Sequence, residues 1–373
     1  MQYKEFKGNN SFLIGMSKIL LKEAVLRETR GHKCYEIPNP VMIKITNPLA
    51  RIITVPERNW NYVLPYVESL WLASGRNDLK LVEHYVKKLH DFSDDHQTMR
   101  GGYGPRMRFY NGIADDYNTG YHQKHEEHPT DKKTIEVDQF EFVEKTFQKD
   151  PYTRQGVISI CDPAKDCFVD EHQLKTTKDF PCTRNIQFVR NGDKLDVIVH
   201  MRSNDLVWGA TGVNIFNFTF IQEYFAQILN LKVGAYYHMV NNLHYYENFQ
   251  NSLKKWADLD TPTDEGHEYK KTFKNLAEFD EKIKSLEEYE KQLREDGKNT
   301  LVDFGDDFFN DWAKVLYLFH CPNEKIKFVN PILQTVARKK LSDKRIKEYR
   351  KQYDSTFAND TDNTNGQFWR QNI

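Results

Sequence analysis

The sequence predicts a mixed α+β fold, and three stretches carry the prediction. Residues 186–190 and 195–201 alternate apolar and polar side chains around Asn191-Gly192, which suits a tight turn with positive φ, so they read as a β-hairpin. Residues 215–231 follow as an apolar helix almost free of charge, and residues 234–240 return as a strand. Upstream, Trp60, Tyr62, Val63, Tyr66, Val67, Leu70 and Trp71 form an apolar stripe at helical spacing over residues 57–73, ending near Gly75.

The other elements fit around these. Residues 79–92 read as a second helix, and residues 93–120 as a polar loop in which Gly101, Gly102, Gly104 and Pro105 exclude regular structure. A helix is expected around 137–149 and a strand over 156–161. From about 255 to 320 the chain becomes heavily charged. There Leu276, Phe279, Ile283, Leu286 and Leu293 recur at spacings of three, four, three and seven, the pattern of an amphipathic surface helix, with a partner-binding coiled coil as the alternative. The expected organisation is one domain over 1–373 carrying a charged helical insertion at about 255–320, with a polar tail from Asp354 to Asn365.

Bulk composition excludes several classes. With 53 basic and 54 acidic residues the chain has no general field for nucleic acid, although local basic pockets remain open to it. No apolar run approaches the ~20 residues of a membrane helix. The start Met1-Gln2-Tyr3-Lys4-Glu5 lacks the apolar core of a secretion signal, so a cytoplasmic location is expected, the host's if the source is viral. The five cysteines, Cys34, Cys161, Cys167, Cys182 and Cys321, are odd in number and lack CxxC spacing, which argues against a disulfide framework and against a metal site. Four read as packing thiols.

Cys182 is set apart by its neighbours. A thiolate nucleophile needs an electropositive setting, and Arg184 and Arg202 are candidates to supply one. Arg202 with Ser203 also makes a phosphate pair, a guanidinium fork beside a hydroxyl donor. Arg30 and Arg154, both beside expected turns, would complete a clamp for a dianion. Asn214 offers a donor and an acceptor, as reading a base edge requires.

At these segments the sequence resembles the thymidylate synthase superfamily, which includes the phage-type deoxypyrimidylate hydroxymethylases. Pro181-Cys182 with Gln187-Phe188 resembles its nucleophile segment, and Arg202-Ser203-Asn204-Asp205 with Gly209 and Asn214 its phosphate-and-base segment. His244-Tyr245-Tyr246 is similar to the His-x-Tyr that holds the sugar hydroxyl. Glu68-Ser69-Leu70-Trp71 resembles the Glu-Leu-Leu-Trp helix, and Tyr103 to Arg108 the Tyr-Gly-x-x-x-Arg loop. Arg30 stands at the family's mobile phosphate arginine, and Arg154 at the arginine pair donated by the second subunit.

The resemblance implies a thymidylate synthase-like mixed β-sheet with packed helices, one sheet face forming a homodimer interface. It implies one-carbon transfer from 5,10-methylenetetrahydrofolate to C5 of a deoxypyrimidine monophosphate, through an adduct of Cys182 with C6. Water ordered by Glu68 and Tyr103 would remove the C5 proton, and Asp205 would contact the pterin. Asn214 rather than a carboxylate implies uracil, hence dUMP rather than dCMP.

Departures from the synthase pattern bear on the final step. Thr183 replaces a His, Met201 a Gln and Gln155 the second arginine, while Gly209 to Asn214 is one residue longer. The Trp-Asp-x-Trp segment is absent, its place taken by His90 to Asp95. Without the tryptophan that shields the exocyclic methylene, water can add, so 5-hydroxymethyl-dUMP is the expected product and dTMP the alternative. Phe92 or an aromatic side chain of the 255–320 segment could replace that shield. A catalytically degenerate nucleotide-binding homologue is the reading from a different class.

Overall fold

A computed structural model of the chain describes residues 1–29, 31–119, 136–170, 172–297 and 300–340. The strands are β1 (Gln2–Phe6), β2 (Val25–Thr29), β3 (His32–Glu36), β4 (Val41–Ile45), β5 (Val157–Ser159), β6 (Thr183–Asn191), β7 (Lys194–Met201), β8 (Asn204–Asp205), β9 (Lys232–Val240) and β10 (Leu243–Tyr246). They form a six-stranded mixed sheet, β1-β4-β9-β7-β6-β5, and a four-stranded one, β2-β3-β10-β8. The helices are α1 (Asn9–Glu23), α2 (Val63–Ala73), α3 (Leu79–Tyr85), α4 (Tyr103–Arg108), α5 (Gln139–Lys149), α6 (Pro163–Asp166), α7 (Ile215–Ile228), α8 (Gln250–Ala257), α9 (Leu276–Glu295) and α10 (Asp307–His320).

The core explains why α7 is almost free of charge. Ile186 and Phe188 of β6 and Val197 and Val199 of β7 are fully buried on the inner face of the large sheet. Phe225 of α7 packs on Phe188, while Tyr224 stacks on Phe279 of α9 and Phe220 meets Phe308 and Trp312 of α10. The helix is therefore covered on both sides, and each fully buried side chain contributes about 1.5–3 kcal/mol. Its one charged residue, Glu223, is buried between Arg51 at 2.5 Å and Lys271 at 2.9 Å.

The hairpin forms one residue out of the expected register. Asn191 pairs with Lys194, so the turn residues are Gly192 and Asp193, with Gly192 at φ +62°. Glycine at the first central position with positive φ is the pattern of a type II′ turn. The pairing of β6 with β7 slips between Thr183 and Asn185, leaving Arg184 as the extra residue of a bulge.

Three other expectations need correction. The apolar stripe over 57–73 becomes helical only at Val63, after a short 3₁₀ turn at Pro56–Arg58. The helix expected over 79–92 stops at Tyr85 and continues as a 3₁₀ turn, Lys87–Phe92. Residues expected to be irregular, from Tyr103 onward, form α4: Pro105 falls in its first turn, where no intrahelical N–H is required.

The 255–320 segment is more than a surface addition. Helix α9 buries Leu276, Phe279, Ile283, Leu286 and Leu293 against its own chain, as the spacing of an amphipathic helix implied. Helix α10 adds a second, apolar element, and its Trp312 Nε1 donates to the Tyr66 carbonyl at 2.8 Å. Both cover α2, the helix that carries Glu68. Among the described residues no helix is long and apolar enough to cross a membrane.

Candidate active site

A cleft of about 600 Å³ opens where the small sheet meets the ends of β6 and β7 of the large one, and Cys182 lies on its wall. Arg202, Ser203, Asp205, Asn214, His244 and Tyr246 line the same cleft, as do Glu68 and Tyr103. The sequence thus names residues from five separated segments that the fold brings together. Arg30 falls outside the described residues, as does the chain end at Ile373. Arg154 is exposed and does not line the cleft. It sits just ahead of β5, its carbonyl accepting from Gln187 Nε2 at 3.5 Å.

Cys182 is held by the arginine opposite it. Arg202 Nε donates to the Pro181 carbonyl at 3.0 Å and Nη2 to the Phe180 carbonyl at 2.9 Å, with the guanidinium 5.0 Å from the Phe180 ring centroid. Its backbone N–H donates to the Cys182 carbonyl at 2.9 Å. One side chain therefore fixes the loop bearing the thiol and presents positive charge beside it. Arg184 does not share that task. The bulge turns it away, and its guanidinium contacts the Cys161 sulfur.

Asp205 acts locally as a helix cap. Its carboxylate accepts from the backbone N–H groups of Val207, Trp208 and Gly209 at 2.9, 2.9 and 2.7 Å, opening a π-helical turn, Leu206–Asn214. The wider turn absorbs the extra residue between Gly209 and Asn214 and still delivers Asn214 to the cleft. Gly209 is obligatory there: a Cβ would stand 1.9 Å from Asn204 Oδ1. Asn204 itself donates to His238 Nε2 at 2.9 Å, and His238 Nδ1 lies 2.8 Å from the Tyr236 hydroxyl. Burial pushes the His238 imidazole down to about 3, so this floor is neutral.

A second wall of the cleft is the small sheet. Ser203 Oγ lies 3.5 Å from His244 Nδ1, and the rings of His244 and Tyr246 meet edge to face at 5.3 Å. Directly across in β3, Glu36 pairs with His244 and Cys34 with Tyr246, and both line the cleft. Burial, then Glu36, pushes the Cys34 thiol up. The sequence reading overlooked this pair, because neither belongs to a motif.

Adjoining the cleft is a recess of about 180 Å³ that shares Glu68, Tyr103, Val213 and Asn214 with it. Glu68 is pushed up to about 7 by burial, with an opposing hydrogen bond from Asn217 Nδ2 at 2.9 Å. Asn217 follows Asn214 by three residues on one helical face, a spacing that could have identified it. The Tyr103 hydroxyl accepts the Thr183 N–H at 3.1 Å and is pushed up by burial and then by the nearby Cys182. Asp179, also unanticipated, lines the recess and is pushed up to about 6 by burial.

The apolar wall answers the question of the missing tryptophan in part. Phe92 and Trp208 line the cleft, and the Lys88 ammonium stands 5.0 Å from the Trp208 ring centroid. Among the described residues, none from 255–320 does so. Nor does any cluster of three or more His, Cys, Asp or Glu side chains there suit a metal ion.

Comparison with known proteins bears on the same region. The thymidylate synthase family model matches residues 11–296. A deoxyuridylate hydroxymethyltransferase of Bacillus phage SP01 is 36% identical over 227 residues, 61% of this chain and 54% of the relative. One of Pseudomonas phage M6 is 30% identical over 238 residues, 64% and 59% of the two chains. A third, of Delftia phage PhiW-14, is 28% identical over 218 residues, 57% and 54%. The chain thus spans between 54% and 59% of the length of these relatives.

Proposed function

Because the chain belongs to the thymidylate synthase family, we propose that it transfers a one-carbon unit to C5 of dUMP, yielding 5-hydroxymethyl-dUMP. The observation that carries the reading is the convergence of Cys182, Arg202, Asn214, His244, Tyr246 and Glu68 on one cleft. The names of the phage relatives support the hydroxymethyl outcome.

Each residue has a task that its surroundings favour. Arg202 and Ser203 take the phosphate, and His244 and Tyr246 the sugar hydroxyl. The Asn214 amide pairs with O4 and N3–H of uracil. Cys182 Sγ bonds to C6, and the displaced π electrons make C5 nucleophilic. The cleft between Leu89, Phe92 and Trp208 suits a flat aromatic donor such as 5,10-methylenetetrahydrofolate, which supplies the one-carbon unit when bound. Glu68, as carboxylate, orders the water that takes the C5 proton, with Tyr103 beside it. Asp205 holds the π-helical turn under the base and faces the donor.

A homodimer fits the outer face of the large sheet. Gln187, Ile198, Tyr237 and Lys44 form one cross-strand row there, half-buried in the single chain. Arg154, bonded to Gln187 and absent from its own cleft, would reach the partner's phosphate site. Arg154→Ala should lose activity that mixing with Cys182→Ser restores through heterodimers. An unrestored mixture would refute the shared site.

The decisive test is mass spectrometry of dUMP, dCMP and UMP after incubation with methylenetetrahydrofolate. A gain of CH2O on dUMP alone is expected, and none with Cys182→Ser, which should still bind the nucleotide. A gain of CH2 with dihydrofolate would instead identify a thymidylate synthase shielded by Phe92 and Trp208. Unchanged nucleotides would overturn the reading.

A further inference from the structure

The proposed chemistry needs a second proton acceptor that the family motifs do not assign. One base removes the C5 proton. Later, a water adding to the exocyclic methylene must lose a proton of its own. The recess adjoining the Cys182 cleft holds two carboxyl groups, Glu68 and Asp179, the latter three residues ahead of the thiol in the chain. Its volume of about 180 Å³ exceeds the ~30 Å³ that a water occupies in the liquid.

The chain is built to place Asp179 there. Its Oδ2 accepts the Gly101 N–H at 2.8 Å, and a Cβ on Gly101 would stand 2.5 Å from the Asp179 carbonyl oxygen and 3.0 Å from Oδ1. Arg100 Nη1 donates to the same carbonyl at 3.3 Å, anchoring the backbone rather than neutralising the carboxylate. Tyr103 lies within electrostatic reach of both Cys182 and Asp179, and it lines both the recess that holds the carboxylate and the cleft that holds the thiol. Around Asp179 the charged groups are Arg100, Arg106 and Asp94, none forming a direct side-chain bond to its carboxylate.

We propose that Asp179 is a catalytic residue for the hydration step, accepting the proton of the water that adds to the exocyclic methylene. This rests on the hydroxymethylase reading above. The water oxygen bonds to the methylene carbon as its O–H bond breaks, and the proton goes to Asp179. The methylene π electrons pass into the ring as a C4 enolate. They then re-form C5=C6 as the Cys182 sulfur leaves C6, so nothing is oxidised or reduced. Burial raises this carboxyl only to about 6, which leaves it mostly ionised at neutral pH and able to accept.

The test separates the two halves of the reaction in the full-length protein. Release of tritium from [5-³H]dUMP reads the steps before hydration, and formation of 5-hydroxymethyl-dUMP reads the whole. Asp179→Asn should leave tritium release within about threefold of the parent while hydroxymethyl product falls about tenfold to a hundredfold. Added 2-mercaptoethanol should then capture the waiting methylene as a thioether. Asp179→Glu, which keeps a carboxylate, should recover much of the product. Parallel loss of both readouts in the Asn and Glu variants would mark a structural role and overturn the proposal, as would unchanged product in Asp179→Asn. If the parent protein released tritium but made no hydroxymethyl product, the hydroxymethylase reading itself would fail, whatever the variants did.

Discussion

Helix α4 separates two kinds of buried carboxylate. Near its C-terminal end Asp166 accepts from Arg106 at 2.9 and 2.8 Å and from Arg100 at 2.8 Å. Near its N-terminal end Glu68 and Asp179 accept, among the described residues, only neutral N–H groups, the Asn217 amide and the Gly101 backbone. Burial pushes all three carboxyls up. Only at Asp166 do guanidinium bonds reverse it, holding the acid below its usual range. Cations in contact make a carboxylate a permanent strut. Their absence leaves a group able to exchange protons near neutral pH, and that group faces open space.

Removing the strut is the strongest way to break the comparison. Asp166→Ala would leave the fully buried Arg106 guanidinium with, among the described residues, only the Ile160 carbonyl at 2.9 Å. Loss of one partner from a buried ion pair costs about 3–5 kcal/mol. The midpoint of urea unfolding should fall accordingly, with nucleotide chemistry reduced only as far as the fold is lost. Because the folded acid lies below its unfolded value of about 3.9, the parent's advantage should persist above that value and vanish only as pH falls through the lower one. A variant as stable as the parent would remove the distinction.

Glu68 provides the opposite test, by chemistry rather than stability. It is neutral below about 7 and a carboxylate above, and the base form is the carboxylate. Tritium release from C5 should therefore rise with pH through about 7. Glu68→Gln should lower that release by about two to four orders of magnitude and flatten the rise. Its effect on folding runs the other way. A raised carboxyl adds stability below its unfolded value and loses it as pH climbs through about 7, so the Gln variant should gain on the parent in alkaline urea titrations.

The contrast between the two ends of α4 also marks what the sequence could reveal. Motif residues with a distinctive chemistry, such as Cys182, Arg202, Asn214 and His244, were legible because their order and spacing are themselves a pattern. The helix α9 was legible because its apolar period is that of one buried face. Arg184 was misjudged because strand alternation breaks at a bulge that no residue type announces. Helix α4 was missed because Gly and Pro count as breakers, although at a first turn Pro105 is harmless. Asp179 and Glu36 could not be found at all, since their roles come from what folds over them: the Gly101 N–H in one case, His244 in the other.

The smallest change probes the neutral donor itself. Asn217 Nδ2 gives Glu68 one hydrogen bond, while its Oδ1 accepts from Ser69 Oγ at 3.1 Å. A donor to the charged form lowers a carboxyl's midpoint, so this amide pulls Glu68 back against burial without supplying charge. Asn217→Ala should therefore move the rise in tritium release upward from about 7, by up to about one pH unit, the equivalent of one neutral hydrogen bond. Above the new midpoint the rate should return to within about tenfold of the parent, because the carboxylate still forms. A midpoint that stayed put would assign the titration to another group, and one that moved down would mean that Asn217 stabilises the acid rather than its base. An upward shift would show that the recess tunes its carboxyl by dipoles where the far end of α4 uses ions.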